Sequence, residues 1–286
     1  MKGVILAGGL GSRLYPLTKT ISKQLLPIYD KPMIYYPLSI LMLAGIKDIA
    51  IISSKKHIDD YETLLGNGKS LGISIQYILQ DNPNGLPEAF IVAEDFIKNE
   101  SVCMILGDNI FYGADFVSKH ILPNIQNNRN SIFTYHVGNP SDFGVINLDK
   151  NNNIIDIEEK PKKPKSNQAI TGLYIFDNKV SEYAKLLKPS SRGETEIVDL
   201  IKIYLNNKQL HVEKISRGVA WLDTGTHQNL IEAGEFIKTI ENRQGLKIGC
   251  IEEIAYNNGN IGKNQLEKII SEMKNCEYKD YLTRII

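Results

Sequence analysis

Residues 2–27 read KGVILAGGLGSRLYPLTKTISKQLLP, and this stretch decides what kind of fold the chain adopts. It begins with an apolar run at 2–7 that is typical of a strand buried on both faces. Three glycines follow directly, at Gly8, Gly9 and Gly11. A turn with so few Cβ atoms lets backbone N–H groups approach an anion closely. The stretch therefore predicts a strand of an α/β sheet that ends in an anion-binding turn.

Polar side chains flank this glycine-rich turn. Ser12 and Arg13 stand beside it, and Lys23 follows ten residues after Arg13. A hydroxyl, a guanidinium and an ammonium group add hydrogen bonds and positive charge to the same place. Together with the bare backbone they favour a nucleoside triphosphate site at which phosphoryl chemistry occurs. On the glycines alone, a turn that only joins a strand to a loop is an equal alternative.

Two common phosphate-binding motifs are excluded. The dinucleotide fingerprint G-x-G-x-x-G would need a glycine where Leu14 stands. A P-loop would need a Gly-Lys-Ser/Thr triplet that follows a glycine and four spacer residues, and Gly68-Lys69-Ser70 has Thr63 where that first glycine would stand. Pro16 also argues against a long helix that begins directly at the turn.

The composition of the chain limits its partners and its compartment. Its 286 residues contain 33 Lys plus Arg and 33 Asp plus Glu, so there is no net charge to attract nucleic acid or an anionic membrane. The three cysteines, Cys103, Cys250 and Cys276, are far apart, which favours free thiols in a reducing cytoplasm over disulfides or a zinc site. The apolar run at the N-terminus is too short for a signal peptide, and no run reaches the ~18 residues of a membrane span. We therefore expect a cytoplasmic protein.

Short apolar strands alternate with helical patterns over roughly the first 135 residues. The predicted strands are 2–7, 48–53, 73–79 and 102–106, and the predicted helices are 33–44, 57–65, 87–97 and 115–127. This alternation indicates βαβ units.

After residue 131 the pattern changes to β-like segments separated by turn residues. These segments are 131–137, 143–149, 152–160 and 169–177, with a hairpin turn predicted at 149–153. Later helices are predicted at 180–187, 196–206 and 227–240, later strands at 210–215 and 221–223, and the last ~45 residues as helical. The predicted fold is α/β: a Rossmann-like, mixed, mostly parallel central sheet with helices on both faces, plus a C-terminal helical annex.

Two aspartates follow apolar strands. Asp108 comes just after the strand at 102–106, and Asp223 ends the short apolar segment AWLD before a predicted helix. The carboxyl ends of strands are where ligands bind in open α/β sheets. Since Mg²⁺ uses one or two carboxylates together with phosphate oxygens and water, the two aspartates are candidate ligands of one Mg²⁺. Either could instead cap a turn or a helix.

Two further segments carry candidate binding groups. The sequence EEKP at 158–161 places a possible sugar-hydroxyl acceptor, Glu159, beside a possible phosphate-binding cation, Lys160, although such runs are also common as solvated charge clusters. Gln80 and Gly85 lie in a loop where an amide and bare backbone can read a base edge.

The chain resembles the glucose-1-phosphate thymidylyltransferases of the sugar nucleotidyltransferase family. The residues GVILAGGLGSRLYPLT and SKQLLPIYDKPMIYYPLS match the family signature G-G-x-G-[ST]-R-L-x-P-x-T…K-x-x-x-P almost throughout, and LGDN, EEKP, TGLY and WLDTGTH extend the match over essentially the whole chain. The resemblance implies the nucleotide-diphospho-sugar transferase fold. It also implies transfer from dTTP to α-D-glucose 1-phosphate with Mg²⁺ as cofactor, giving dTDP-glucose and pyrophosphate for dTDP-rhamnose and polysaccharide synthesis. A UTP-dependent uridylyltransferase and a non-catalytic regulatory homologue are the alternatives.

The resemblance also implies roles for individual residues. The triphosphate would be held by Gly8, Gly9, Gly11, Ser12 and Arg13, and its α-phosphate by Lys23 with Gln24 nearby. Thymine would be held by Gln80, Pro83 and Gly85, and Mg²⁺ by Asp108 and Asp223. The sugar phosphate would be bound by Asn109, Gly144, Glu159, Lys160 and Ile170. Catalysis would rest on Arg13, Lys23, Asp108, Lys160 and Asp223.

Three residues depart from the family pattern. Ser12 stands where many members have Thr, which keeps the hydroxyl. Phe143 replaces a frequent Tyr, which would remove a polar contact to the sugar. Glu88 stands where Gln is frequent, which would alter the rim of the base pocket.

The resemblance divides the chain into a catalytic domain at 1–241 and a segment for assembly and possible regulation at 242–286. The nucleotide half would span about 1–130 and the sugar-phosphate half about 131–241. A homotetramer is implied, with dTDP-rhamnose as a possible feedback ligand near 249–259 and 112–120. The apolar Leu266, Ile269 and Ile270 must be buried, either against the chain's own core or at a subunit contact.

Overall fold

Strands and helices alternate in the computed structural model, which describes residues 1–9, 11–150 and 154–286. The strands of the described residues are, in chain order, β1 (Lys2–Leu6), β2 (Pro27–Ile28), β3 (Lys31–Pro32), β4 (Asp48–Ser53), β5 (Ser74–Leu79), β6 (Val102–Leu106), β7 (Asn109–Tyr112), β8 (Asn130–His136), β9 (Gly144–Leu148), β10 (Ile154–Glu159), β11 (Gln168–Phe176), β12 (Leu210–Lys214) and β13 (Ala220–Asp223). The helices are α1 (Tyr35–Leu43), α2 (Ile58–Leu65), α3 (Glu88–Val92), α4 (Glu94–Ile97), α5 (Leu122–Gln126), α6 (Val180–Lys185), α7 (Ile197–Asn206), α8 (His227–Gln244), α9 (Ile251–Asn257), α10 (Lys263–Glu272) and α11 (Glu277–Ile285). The predicted α/β class is confirmed.

Packing divides the chain into two units, each built from several segments. The first unit comprises Met1, Gln80–Ile105 and Tyr112–Trp221. The second unit comprises Lys2–Leu79, Leu106–Phe111 and Leu222–Ile286. The functional segments expected at 1–241 and 242–286 stay a prediction, because these units are defined by packing and not by function.

The second unit contains the parallel strands. Both β1 with β4 and β4 with β5 are paired in parallel, with Leu6 opposite Ile52 and Ile52 opposite Ile78. The strand β4 is buried from Ile49 to Ser53 without alternation, as expected for a parallel strand covered on both faces. Helix α1 is buried over most of its length and is followed by Gly45 at φ +75°.

The first unit contains the mixed and antiparallel strands. Strand β11 pairs antiparallel with β6, β8 and β9, and β9 pairs antiparallel with β10. Strand β12 runs parallel to β8. The antiparallel extension predicted after residue 131 is therefore confirmed. The predicted hairpin turn at 149–153 lies largely outside the described residues.

Two predicted helices were wrong in detail. The helix predicted at 87–97 is two short helices, α3 and α4, interrupted at Ala93, which has φ −91° and ψ +7°. The helix predicted at 115–127 begins with a π-helical turn at Val117–Ile121 and continues as α5. Pro123 has no N–H to donate to the carbonyl four residues earlier, so a regular helix cannot run through this point.

The C-terminal annex is helical, as predicted. Helix α8 ends at Gly245, which has the left-handed conformation, and α9, α10 and α11 follow. Leu266 and Ile270 are buried within the chain. Packing on the chain's own core therefore accounts for these two side chains. None of the helices in the described residues combines the length and hydropathy of a membrane span.

Candidate active site

The glycine-rich turn after β1 packs closely against Thr18 and Lys23. Gly11 has φ +59°, and a Cβ atom there would lie 2.7 Å from Thr18 Cγ2 and 3.3 Å from Lys23 Cβ. Thr18 Oγ1 also donates to the Gly11 carbonyl over 2.8 Å. Glycine is required at this position by both conformation and space. Gly9 is exposed and has no neighbour within 4 Å of a Cβ position, so its backbone is open to a ligand.

The two predicted cations lie in different surroundings. Lys23 is only 6% exposed, and its Nζ forms an ion pair with Asp108 Oδ2. Arg13 is exposed, and its Nη2 lies 3.2 Å from the position that a Cβ of Gly225 would take. The same position is 3.1 Å from Asp223 Oδ2, so the guanidinium and the carboxylate flank Gly225. An exposed guanidinium next to an open turn is available to an anionic ligand.

Hydrogen bonds from three other residues fix the position of Asp108. Its Oδ2 accepts from Lys23, and its Oδ1 accepts from Asn109 Nδ2 over 3.0 Å. Its main-chain carbonyl accepts from Thr224 Oγ1 over 2.9 Å and from Thr224 N over 3.3 Å. Thr224 adjoins Asp223 in sequence, so these bonds tie the two aspartate-bearing segments together.

Gly107 allows the chain to approach β1 just before Asp108. Its N–H donates to the Leu6 carbonyl over 2.9 Å, and a Cβ would lie 2.9 Å from Gln24 Cγ. The amide oxygen of Gln24 accepts from Ser22 Oγ at 3.0 Å and Tyr61 OH at 3.3 Å. Gln24 is thus fixed by hydrogen bonds beside Lys23.

Burial raises the pKa of the Asp223 carboxyl, and the neighbouring Asp108 charge raises that pKa further. The positive charges of Lys23 and Arg13 lower it in part. The main-chain carbonyl of Asp223 accepts from Asn229 Nδ2 over 2.8 Å, and Asn229 N donates to Thr226 Oγ1, the cap of α8. Two carboxylates are thus held close enough to repel each other, an arrangement that a bound cation would stabilise.

The predicted base-binding loop belongs to the first unit and is fixed by Glu88. The buried Gln80 donates from Nε2 to Glu88 Oε2 over 2.8 Å. Gly85 has φ +121°, and a Cβ there would lie 2.1 Å from the Thr195 carbonyl. Thr195 N donates to Asn84 O over 2.8 Å. Pro83 is exposed in this loop.

Four of the five predicted sugar-phosphate residues lie in the first unit. Glu159 pairs with Gly144 across β9 and β10. A Cβ at Gly144 would lie 3.4 Å from Glu159 Oε2 and 3.5 Å from Ile170 Cδ1. Lys160 is next in sequence, has φ +43° and donates its N–H to Phe143 O over 3.0 Å. Asn109, the fifth residue of the predicted set, belongs to the second unit, where it bonds to Asp108.

Glu159 has the properties of a ligand-binding carboxyl. Burial raises its pKa, and the Glu196 charge adds to this effect, while Lys160 and Arg192 oppose it. Its Oε2 is buried and has no hydrogen-bond partner among the described residues. A buried acceptor of this kind matches a hydroxyl group of a ligand.

Sequence reasoning missed Arg192. Its Nη2 lies 3.6 Å from Glu159 Oε1. Glu196 binds the guanidinium in a bidentate manner, from Nε over 3.0 Å and from Nη2 over 2.7 Å. The signal in the sequence is weak, because one arginine in a Ser- and Gly-rich loop is far from Glu159 along the chain. Phe143, which departs from the family pattern, packs against Trp221 with ring centroids 5.1 Å apart.

Comparisons with known proteins also indicate a nucleotidyl transferase. A family model described as nucleotidyl transferase matches residues 2–240. The glucose-1-phosphate thymidylyltransferase of Neisseria meningitidis serogroup A / serotype 4A is 51% identical over 286 residues, which cover 100% of this chain and 99% of that protein. The protein of the same name from Mycobacterium tuberculosis is 47% identical over 287 residues, covering 100% and 99%.

Solved structures show the same fold. A crystal structure described as a glucose-1-phosphate thymidylyltransferase from Bacillus anthracis, in complex with sucrose, matches with a TM-score of 0.76 and 43% identity, covering 82% of this chain and 94% of that chain. A UDP-glucose pyrophosphorylase complexed with UDP-glucose matches with a TM-score of 0.74 and 27% identity, covering 84% and 98%.

Proposed function

Because the chain belongs to the nucleotidyl transferase family, we propose that it transfers a thymidylyl group from dTTP to α-D-glucose 1-phosphate, giving dTDP-glucose and pyrophosphate. The observation that carries the proposal is the cluster at the glycine-rich turn, where Lys23 is paired with Asp108 and Arg13 flanks Asp223. The name of the relatives that are 47–51% identical over the whole chain supports the choice of substrates.

The reaction needs charge neutralisation more than proton transfer. A phosphate oxygen of glucose 1-phosphate attacks the α-phosphorus of dTTP and forms a new P–O bond. The bond from the α-phosphorus to the oxygen that bridges to the β-phosphate breaks, and pyrophosphate leaves with the electron pair. Since the attacking oxygen is already anionic, no general base is required. Positioning and positive charge at the phosphates supply the catalysis.

The cations of the chain have distinct roles in this proposal. Arg13 binds the triphosphate together with Ser12 and the backbone of Gly8, Gly9 and Gly11. Lys23 binds the α-phosphate. Lys160 neutralises the phosphate of the sugar substrate, and Arg192, held by Glu196, adds a second positive charge beside Glu159.

Groups of the first unit would recognise the base of dTTP and the sugar of glucose 1-phosphate. Gln80, Pro83 and Gly85 bind thymine. Glu159, whose Oε2 has no partner among the described residues, accepts a sugar hydroxyl. Gly144 and Ile170 provide the space and the apolar wall beside it. Asn109, which belongs to the second unit, adds a polar contact to the sugar phosphate.

The family generally uses a divalent metal ion, and Asp108 and Asp223 fit Mg²⁺. Mg²⁺ favours one or two carboxylates with phosphate oxygens and water as its other ligands. Burial raises the pKa of the Asp223 carboxyl and the Asp108 charge raises it further, so a bound cation would stabilise the ionised form of both groups. When bound, the ion would neutralise charge on the phosphates.

The two alternative functions are less well supported. The UDP-glucose pyrophosphorylase is only 27% identical, against 51% for the thymidylyltransferase of Neisseria meningitidis. A non-catalytic homologue would be expected to lack cations or metal carboxylates, whereas Arg13, Lys23, Asp108 and Asp223 are all present.

The proposal extends to assembly and regulation. A homotetramer would be the working form, and dTDP-rhamnose would bind at a second site and reduce activity. Sedimentation equilibrium tests the assembly and should show a species of about four chains. A monomer at assay concentration would contradict it. The cytoplasmic location remains part of the proposal.

The experiment that tests the reaction is product identification. We expect the purified chain, with Mg²⁺, dTTP and glucose 1-phosphate, to release pyrophosphate and to form dTDP-glucose in equal amounts. Omitting either substrate should stop both products. If neither product forms, the proposed function is wrong.

A further inference from the structure

We propose that Glu88 is a positioning residue that locks the side-chain amide of Gln80 in one orientation and so makes the site select thymine or uracil over cytosine. The inference rests on the proposed function for the assignment of Gln80 to base recognition. It concerns a residue that touches no substrate in that proposal.

The carboxylate of Glu88 accepts three hydrogen bonds. Gln80 Nε2 donates to its Oε2 over 2.8 Å, and Asn84 N donates to the same oxygen over 3.0 Å. Asn84 Nδ2 donates to Oε1 over 3.1 Å. Since an ionised carboxylate only accepts, the nitrogen of the Gln80 amide must be the atom that faces Glu88.

The other end of the amide stays open. Gln80 is only 4% exposed. In the part of the chain that the structure describes, no group donates a hydrogen bond to the Gln80 Oε1 atom. This oxygen is also not fully buried. An incoming group therefore meets the oxygen of the amide as a fixed acceptor.

A fixed amide distinguishes the two kinds of pyrimidine. Thymine and uracil carry an acceptor at O4 and a donor at N3–H, whereas cytosine carries a donor at N4 and an acceptor at N3. If the base is held in one position, a Gln80 amide in one orientation can pair with only one of these two arrangements of donor and acceptor. The fixed oxygen of Gln80 requires a donor, and N3–H of thymine or uracil provides it.

The loop around Glu88 is rigid enough to keep this arrangement. Asn84, which donates twice to Glu88, accepts at its carbonyl from Thr195 N and from Thr195 Oγ1, over 2.8 and 3.1 Å. Gly85 lies against Thr195 in a bridge that leaves no space for a Cβ. These contacts fix Asn84, and Asn84 in turn fixes the Glu88 carboxylate that binds Gln80.

Replacement of Glu88 by methionine removes both acceptor oxygens and keeps the length of the side chain. Glutamine would keep the constraint, because its oxygen can still accept from Asn84 N and from Gln80 Nε2. In Glu88→Met the Gln80 amide can rotate and present its nitrogen to N3 of cytosine. The expected effect is a loss of selectivity, with little effect on the fold.

Equilibrium binding tests the inference without requiring turnover. The affinities of dUTP and dCTP, which differ only at the edge that Gln80 would read, are measured by titration calorimetry for the wild type and for Glu88→Met. The wild type should prefer dUTP, and Glu88→Met should reduce that preference about tenfold, the usual size of one hydrogen-bond mismatch. Glu94→Met is the matched control, because Glu94 lies in α4, the helix after the one that carries Glu88, and its exposed carboxylate pairs with Lys185 of α6; it should keep the wild-type preference.

A second measurement separates positioning from a structural effect. In a Gln80→Ala background, Glu88→Met should leave the dUTP to dCTP ratio unchanged, because the amide through which it acts is gone. The inference is overturned if the wild type shows no preference, if Glu88→Met weakens both nucleotides equally, or if its effect on the ratio persists without Gln80. Absence of turnover with dTTP would contradict the proposed function alone.

Discussion

The carboxylates of Asp108 and Asp223 are the side chains on which the proposed reaction depends most. We expect Asp108→Asn and Asp223→Asn each to lower kcat by roughly a hundredfold or more, because each removes a charge that would hold the metal at the transition state. Pyrophosphate release at saturating substrates and Mg²⁺ measures the effect. Asp48→Asn is the matched control, since Asp48 pairs with Lys2 on the surface, and it should keep wild-type kcat. A kcat near the wild-type value in either site variant would remove that residue from the metal site.

The ionised carboxylate of Asp223 should also lower the stability of the folded chain. Burial and the Asp108 charge raise the pKa of its carboxyl in the folded chain above the ordinary value of 3.8. The ionised group therefore disfavours folding at any pH above the folded-state pKa, and this penalty disappears as the pH falls below the unfolded-state pKa.

Asp223→Asn should accordingly melt at a higher temperature than the wild type at about pH 7, and the difference should shrink toward about pH 4. Thermal unfolding of both proteins in buffer with a chelator measures it, so that metal binding does not contribute. A variant that melts lower than the wild type at every pH would show that the buried carboxylate stabilises the fold.

Single residues differ in how well the sequence predicts their surroundings. Asp108 and the glycine-rich turn were predicted because each follows an apolar strand of the same sheet, and strand ends gather at one edge of a sheet. Asp223 was predicted because it ends an apolar segment, and that segment is β13, which pairs with β7 in a separate two-stranded sheet. Arg192 and the bonds of Glu88 were missed, because their contacts depend on side-chain orientation and on loops that are distant in sequence. The raised pKa of the Glu159 carboxyl likewise comes from burial and from the nearby Glu196 charge, and the sequence shows neither.

The turn between β1 and Lys23 is the element whose shape matters most for phosphate binding. Gly11→Ala places a methyl group in the left-handed region and 2.7 Å from Thr18 Cγ2. We expect this variant to lose about 1–2 kcal/mol of unfolding free energy and most of its kcat/KM for dTTP, because the open backbone must move.

Gly245→Ala is the matched control for the turn. Gly245 has φ +68° and no neighbour within 4 Å of a Cβ position, so the substitution introduces the backbone strain without the steric contact. It should lower stability and leave kcat/KM unchanged. Chemical denaturation and steady-state kinetics of both variants provide the comparison. Equal kcat/KM in the two variants would show that the turn does not bind the nucleotide.

Helices and strands were predictable where the pattern is local and continuous. The strands at 48–53 and 102–106 occur with the predicted bounds, because runs of buried residues define them. The helix at 87–97 was predicted as one because its composition favours a helix throughout, and nothing in that composition marks the interruption at Ala93. The π-helical turn before α5 reflects Pro123, whose effect on helix type cannot be read from periodicity.

For the whole molecule, the proposed regulation concerns the helical annex. The Tyr281 hydroxyl of α11 donates to Glu253 Oε2 of α9 over 2.6 Å, so Glu253 links two helices of the annex. We expect dTDP-rhamnose to inhibit the reaction in a manner that is not purely competitive with dTTP, and Glu253→Gln to weaken that inhibition. A second site must change the affinity for substrate and be changed by it in return.

Steady-state inhibition at several dTTP concentrations measures this coupling. Tyr281→Phe is the companion variant, because it removes the bond to Glu253 and keeps the carboxylate. Purely competitive inhibition that is unchanged in Glu253→Gln would exclude a second site at the annex.

The overall class of the fold was predicted from alternating strands and helices, and the annex from helical patterns in the last ~45 residues. The division into two interleaved packing units was not predicted, because it depends on contacts between segments far apart in the chain. Burial of Leu266 and Ile270 was predicted, but their packing on the chain itself was one of two open possibilities.

The nucleotide preference of the intact chain tests the proposed reaction most directly. Equal concentrations of dTTP and UTP are supplied with Mg²⁺ and limiting glucose 1-phosphate, and the two nucleotide sugars are quantified by mass spectrometry, so that their ratio gives the ratio of kcat/KM values. We predict dTDP-glucose as the main product and UDP-glucose as a minor one, because one methyl contact contributes only about 1–3 kcal/mol of discrimination. An excess of UDP-glucose would contradict the thymidylyl assignment.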